Sequence, residues 1–320
     1  MSGKDAAKTV KKVLQKKQFQ GYPHNIPEDG RRISMKKTLT VLMMVLLAAM
    51  LFISCDNKTK EVVYKVTFES NGGSAVATEE VKAGEKAVKP ENPTRKGYTF
   101  DKWTTDKDGK YEYAFNSVLE GDITLYAQWI RVYKVGDKGP AGGIVFYVNP
   151  NAATDEWTYL EAAPEDIKIT KDGTTTSTFV FGYNRTTDTG SNAMVGTGTA
   201  IGTGKKNTED LVAAMGETAY SNYTGSDKTE AYAAKVCADY TCGGYDDWFL
   251  PSKDELNEIY KNKASIGNFV DSDENSKNCI YWSSSEGDDC DAWVHNFKTN
   301  AVNYGENACD FIHIRAVRSF

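Results

Sequence analysis

Hydrophobic and polar positions alternate through much of the chain beyond residue 60. Val66 and Phe68 are offset from Lys65 and Thr67, and Ile123, Leu125, Ala127 and Trp129 share one side of a later run. Period two, bounded by Asn71-Gly72-Gly73, predicts strands joined by tight turns. Pro90, Pro93 and Gly97 place a loop before Tyr98–Trp103, and further strands are expected over Cys279–Ser285, Ala292–Phe297 and Phe311–Phe320. The glycine-rich stretch from Gly139 to Gly143 runs straight into the apolar Ile144–Tyr147. A phosphate cradle needs a helix after its glycines, so this is a turn into a buried strand. Ile201–Thr208 fails as a P-loop, because Thr199 and Lys206 stand where glycine and a hydroxyl residue are required.

Helical signals are fewer. Asn207 and Thr208 are placed to cap a helix over Glu209–Met215, and Tyr232, Val236 and Tyr240 recur at helical spacing within Thr229–Tyr240. Ser252-Lys253-Asp254-Glu255 is a capping box ahead of the apolar stripe Leu256, Ile259, Tyr260. Asp254 and Glu255 suit the positive end of a helix dipole, so capping accounts for them better than acid–base catalysis. The pattern as a whole is α+β.

Charge changes the picture by region. Residues 1–34 carry 8 basic and 3 acidic groups, residues 35–130 carry 13 of each, and residues 131–320 carry 17 and 28. The acidic C-terminal part excludes a dedicated nucleic-acid binder. Three His in 320 residues argue against a multi-His metal site, and no cofactor is expected. Ser283–Ser285 sit in no nucleophile elbow, so they read as strand hydroxyls bonded to a neighbouring loop.

Met35–Cys55 has a basic start, an apolar run from Leu39 to Ile53 and a small residue before a cysteine, the layout of an export signal. A short membrane anchor is the alternative reading. Met35 resembles the true start, which leaves residues 1–34 as an upstream translation artefact or a disordered leader. Residues 56–61 form a polar linker, followed by a module over 62–130 and a larger domain over 131–320. Leu51–Cys55 resembles a bacterial lipoprotein box, which implies lipidation of Cys55 and a lipid-anchored protein on the outer surface of the cell envelope. Five cysteines then remain, so at least one thiol is free. Cys237 and Cys242 are close enough to bridge or to stay unpaired, and without His nearby they are a poor metal site.

Two further resemblances are specific. VTFESNGG, NPTRKGYTFDKWTTD and ITLYAQW resemble the Listeria–Bacteroides repeat of internalin-like surface proteins, which implies a β-grasp-like spacer. VGDKGPAGGIVFYV, WTYLEAAP, GGYDDWFLPSKDELNEIY, YWSSSE, AWVHNF and IRAVRSF resemble the C-terminal domain of the Legionella collagen-like adhesin. That implies a C-type-lectin-like fold akin to formylglycine-generating enzymes, with Trp248, Leu250, Trp282 and Trp293 as scaffold. Calcium-lectin ligand strings are absent, and no family motif surrounds Cys290 or Cys309.

Some lectin-fold lipoproteins, including one from Treponema, are diversified by retroelements that mutate adenines near the 3′ end of the gene. Gly287–His313 is a polar mixture without pattern, and only Trp293, Lys298 and Glu306 in it lie beyond the reach of such mutation. The resemblance therefore places a variable binding surface there. The expected ligand residues are Asp288, Asp289, Asp291, His295, Asn296, Asn300, Asn303, Tyr304, Asn307, Asp310, Phe311 and His313. The expected partner is a protein or glycan on a host or neighbouring microbial surface, with the membrane engaged through the N-terminal lipid. The competing readings are a formylglycine-generating type of enzyme and a structural envelope protein without a specific ligand.

Overall fold

The structure is a computed structural model and describes residues 60–185, 187–222, 224–305 and 310–320. The segment Met35–Cys55 expected to be an export signal, together with Asn307 and Cys309, lies outside the described residues. Among the described residues, no helix is long and apolar enough to cross a membrane.

The first module is a four-stranded sheet. Its strands are β1 (Val63–Glu69), β2 (Glu79–Lys82), β3 (Tyr98–Thr104) and β4 (Ile123–Arg131), in the order β2-β1-β4-β3. The central β1 and β4 run parallel, with Phe68 opposite Leu125, and β3 pairs antiparallel to β4. Val66, Phe68, Val81, Trp103, Leu125 and Ala127 form the core, as the alternation requires. Sequence pattern alone missed β2, whose only buried side chain is Val81. Gly73 serves close approach: a Cβ there would lie 2.4 Å from Trp129, whose indole N–H donates to the Ser70 carbonyl (2.9 Å).

Beyond residue 131, β5 (Ile144–Val148), β6 (Tyr159–Ala162) and the C-terminal β14 (Val317–Ser319) form one antiparallel sheet, ordered β14-β6-β5. The last strand thus pairs with a segment more than 150 positions upstream, with Val317 opposite Ala162. Two hairpins follow β6. One is β7 (Ile169–Lys171) with β8 (Thr174–Thr176), turning through Asp172 and Gly173 at positive φ; the other is β9 (Ala219–Tyr220) with β10 (Lys228–Thr229). The helices are α1 (Gly204–Met215), α2 (Ala233–Ala238), α3 (Lys253–Lys261) and α4 (Lys263–Ile266). A third sheet, ordered β11-β12-β13, holds β11 (Ile280–Glu286), β12 (Ala292–Asn296) and β13 (Val302–Gly305).

This third sheet is packed on both faces. Trp282, Ala292 and Val294 join a core with Phe181, Tyr232 and Leu211. Tyr281 and Phe297 join a second core with Leu256 and Ile259 of α3. Adjacent residues of β11 therefore enter different cores, which explains a strand buried from Tyr281 to Ser285.

Three local expectations need correction. The helix expected over Glu209–Met215 begins at Gly204, so Asn207 and Thr208 lie inside it. Asn207 bonds the Gly198 backbone in both directions (2.8 and 2.7 Å) and Ser284 (3.1 Å), while Thr208 bonds Leu250. The helix within Thr229–Tyr240 shrinks to α2, because Tyr232 is its N-cap and its hydroxyl donates to the Gly216 carbonyl (2.7 Å). The strand expected over Phe311–Phe320 survives only as β14; Ile312 and His313 instead make single bridges to Phe179 and Tyr281.

Candidate functional site

The β11–β12 turn is built by its own polar groups. Gly287 and Asp288 amides donate to the Asp291 carbonyl (2.7 and 3.2 Å), and Asp288 Oδ1 accepts from the amides of Cys290 and Asp291 (both 2.8 Å). Next to it, Glu286 clamps a loop. Its carboxylate accepts from the amides of Val195 (2.8 Å), Gly196 (2.8 Å) and Thr197 (3.2 Å). Asp288, Asp289 and Cys290 bring their ligand atoms within 4.8 Å of one another, and both carboxylates are exposed. Burial pushes the Cys290 thiol above its ordinary range, against a nucleophilic role.

Antiparallel register brings Tyr304 to this turn. β12 and β13 pair Trp293 with Tyr304 and Ala292 with Gly305. The two rings pack with centroids 4.1 Å apart, and the Lys253 ammonium lies 3.7 Å from the Trp293 ring centroid. Gly287 completes the arrangement, since a Cβ there would lie 2.2 Å from Tyr304 Cδ1. Tyr304 is thereby held in one place while 49% exposed. In the sequence Gly287 stands only as the first residue of the polar segment and Lys253 only as a capping-box member.

The expected site residues divide. Asp288, Asp289, Asn303, Tyr304, Asp310 and Phe311 are exposed, Phe311 by 70%, and Asp291 is half-buried. Tyr304 and the three turn aspartates are drawn together. Asn296 and Asn300 belong to the other end of the hairpin. Asn296 Oδ1 accepts from the amides of Lys298 and Thr299 (both 3.0 Å), and its amide donates to the Ser276 carbonyl (2.8 Å), closing the β12–β13 turn. His313 is half-buried, with Nδ1 3.1 Å from the Ser177 carbonyl.

His295 is a correction. It is 1% exposed, stacked on Tyr260 of α3 (4.5 Å, 28°), with its Nε2–H donating to Asn300 Oδ1 (3.0 Å). A side chain so enclosed touches no external ligand. Alternation explains the placement: Trp293 and His295 point to the same face of β12, which α3 covers.

The serines are engaged as strand hydroxyls. Ser283 Oγ donates to the Trp293 carbonyl (2.8 Å) and Ser285 Oγ to the Gly198 carbonyl (2.7 Å). The capping box is formed, with Glu255 fully buried and its carboxylate accepting from Ser252 (2.7 Å) and Gly202 (2.8 Å) amides. Burial raises that carboxyl to about 7. Cys237, Cys242, Cys279 and Cys290 are all free thiols. A groove of about 740 Å³ lies elsewhere, lined by Ile169, Lys171, Lys228 and Tyr240 among others. Two of its charged groups are paired, Lys171 with Glu230 (3.4 Å) and Asp239 with Lys235 (3.0 Å).

Residues 64–128 match the family model of the Listeria–Bacteroides repeat domain, and residues 203–318 match that of the Lcl C-terminal domain. Both are repeat- or adhesin-type families rather than catalytic ones. The candidate surface lies within the residues that match the Lcl C-terminal domain, on the β11-β12-β13 sheet. Among curated relatives, a putative Gly-rich membrane protein of Evansella cellulosilytica is 37% identical over 93 residues, covering 28% of this chain and 11% of the relative. Internalin H of Listeria monocytogenes is 33% identical over 115 residues, covering 35% of this chain and 19% of the relative. The chain thus spans less than a fifth of these relatives' length. A fimbrial protein from Bacteroides ovatus superposes with a TM-score of 0.35 at 11% identity, covering 80% of this chain and 69% of that one.

Proposed function

We propose that this protein is a lipid-anchored lipoprotein of the outer cell surface that binds a protein or glycan through the β11–β12 turn and β13. In this reading the repeat is a β-grasp-like spacer. Its strand order β2-β1-β4-β3 with parallel central strands supports that. The Lcl domain is the C-type-lectin-like head. The names of the relatives, an internalin and a putative membrane protein, support a surface location.

The observation that carries the binding reading is Tyr304. An aromatic ring 49% exposed yet fixed by Trp293 and Gly287 offers contact area at little entropic cost. Exposed Asp288, Asp289, Asn303 and Phe311 add polar and apolar contacts. Asp289, Asn303 and Phe311 project from the surface without holding the turn, so they are open to diversification by a retroelement without loss of the fold.

The test is a combined variant, Asp288→Ala, Asp289→Ala, Asn303→Ala, Tyr304→Ala and Phe311→Ala, applied to glycan and matrix-protein arrays beside the parent protein. Binding should disappear while the fold is kept: Asp289→Ala, Asn303→Ala and Phe311→Ala should each cost within about 0.5 kcal/mol of stability, and Asp288→Ala and Tyr304→Ala, which remove a turn acceptor and a ring pair, about 1 kcal/mol each. Parent binding that survives all five changes removes this surface from consideration.

A further inference from the structure

The hairpin that presents Tyr304 is pinned from beneath by one titratable ring. His295 is enclosed between Tyr260 (4.5 Å) and Phe297 (5.4 Å, 74°), and its bonded polar partner is Asn300. Asn300 sits in the β12–β13 turn at φ +62°, a backbone conformation that this side-chain bond helps to hold. The other ring nitrogen, Nδ1, is buried without a hydrogen-bond partner. In the neutral ring Nδ1 is a bare acceptor. A proton there would add both a charge and an unsatisfied donor inside a ring stack.

The surroundings do not welcome that charge. Lys263 of α4 is the nearby cation; its ammonium donates to the Phe297 carbonyl (2.7 Å) and lies 5.0 Å from the Tyr260 ring centroid. Asp271 is tied to Lys263 (3.1 Å), and Glu258 and Lys261 of α3 pair with each other (2.7 Å). β11 opposes His295 with Tyr281, whose hydroxyl donates to Asp166, and β13 opposes it with Val302. The His313 ring lies 5.5 Å from Tyr281, on the far side of β11 from β12. Burial accordingly holds the His295 imidazole below its usual range, with Lys263 adding to the effect.

We propose that His295 is an acid release for the binding surface: on protonation the β12–β13 hairpin lifts from α3 and Tyr304 loses its fixed position. The consequence for ligand binding rests on the function proposed above; the opening itself does not. The sign follows from linkage. The open state takes up a proton near the ordinary His value of about 6.5, while the closed state resists it. Closure is therefore fully favoured above that value and is lost as pH falls below it.

Hydrogen exchange of backbone amides in residues 292–305 tests this without any ligand. After correction for intrinsic rates, exchange there should quicken at least about fivefold from pH 7.5 to 5.0. His295→Phe keeps the stack on Tyr260 but cannot titrate, and should abolish the acceleration. Asn300→Asp supplies a carboxylate for the imidazolium and should also abolish it, which keeps the inference open to test if His295→Phe does not fold. A parent hairpin indifferent to pH, or His295→Phe with undiminished acceleration, overturns the inference. An acid-opening hairpin on a protein that binds nothing on the arrays leaves the inference standing and removes the binding reading.

Discussion

Trp293 and Tyr304 face one another across β12 and β13, with ring centroids 4.1 Å apart and the Lys253 ammonium 3.7 Å from the indole centroid. The pair links a helix start, a strand and an edge strand at the surface proposed to bind. Cross-strand aromatic pairs contribute about 0.5–1.5 kcal/mol beyond area burial, which is enough to fix a half-exposed ring.

Gly287 is the first place to disturb that pair. Gly287→Ala places a Cβ within 2.2 Å of Tyr304 Cδ1, so the ring must move. The expected cost is about 1–3 kcal/mol, with a changed near-ultraviolet dichroism signal from Trp293 and Tyr304. An unchanged signal with unchanged stability would show that the ring does not rest on Gly287.

Arg315 offers a test of the scaffold beneath. Its guanidinium is fully buried, bonded to Asp166 (2.7 Å) and to the carbonyls of Ala163 and Asn268. Arg315→Leu leaves the Asp166 carboxylate buried with Tyr281 as its remaining hydrogen-bond donor, which should cost about 3–5 kcal/mol in urea melts. A loss under 1 kcal/mol, in order of magnitude, would mean that the network is dispensable.

Glu255 should give the protein a pH-dependent stability of the opposite sign to His295. Its carboxyl is raised to about 7, above the unfolded value of about 4.3. The group therefore favours folding most below the unfolded value, and that stability is lost as pH rises through about 7. Urea melts of Glu255→Gln compared with parent protein should show this slope removed between about pH 4.5 and 7. Parallel profiles would rule Glu255 out as its source.

Thiol reactivity should follow burial. Cys237 and Cys279 are fully buried, and burial pushes the Cys237 thiol far above its ordinary range. Cys242 and Cys290 are half-buried and free. In the native protein a maleimide should label Cys242 and Cys290, slowly at Cys290, and reach Cys237 and Cys279 only after unfolding. Mass mapping that finds Cys237 labelled first would contradict the packing described.

Much of the local structure was legible because it rests on short-range rules. The alternation of Ile123 to Trp129 fixed which face of β4 is buried, and Ser252 with Glu255 announced the start of α3. Asn207 and Thr208 misled for a physical reason. Both are good caps, but here their side chains serve Gly198, Ser284 and Leu250, partners up to 77 positions away that no local rule supplies.

The candidate site shows the same division. The sequence by itself determined a polar, patternless segment from Gly287 to His313 and two specific domain resemblances, because composition and spacing are properties of the chain. Only the tertiary structure decided which of those polar residues face water. β12 alternates, but α3 covers the face that carries Trp293 and His295, so one polar residue became core and its neighbours did not. Exposure depends on what packs against a strand, and α3, which covers this one, lies more than thirty positions earlier in the chain.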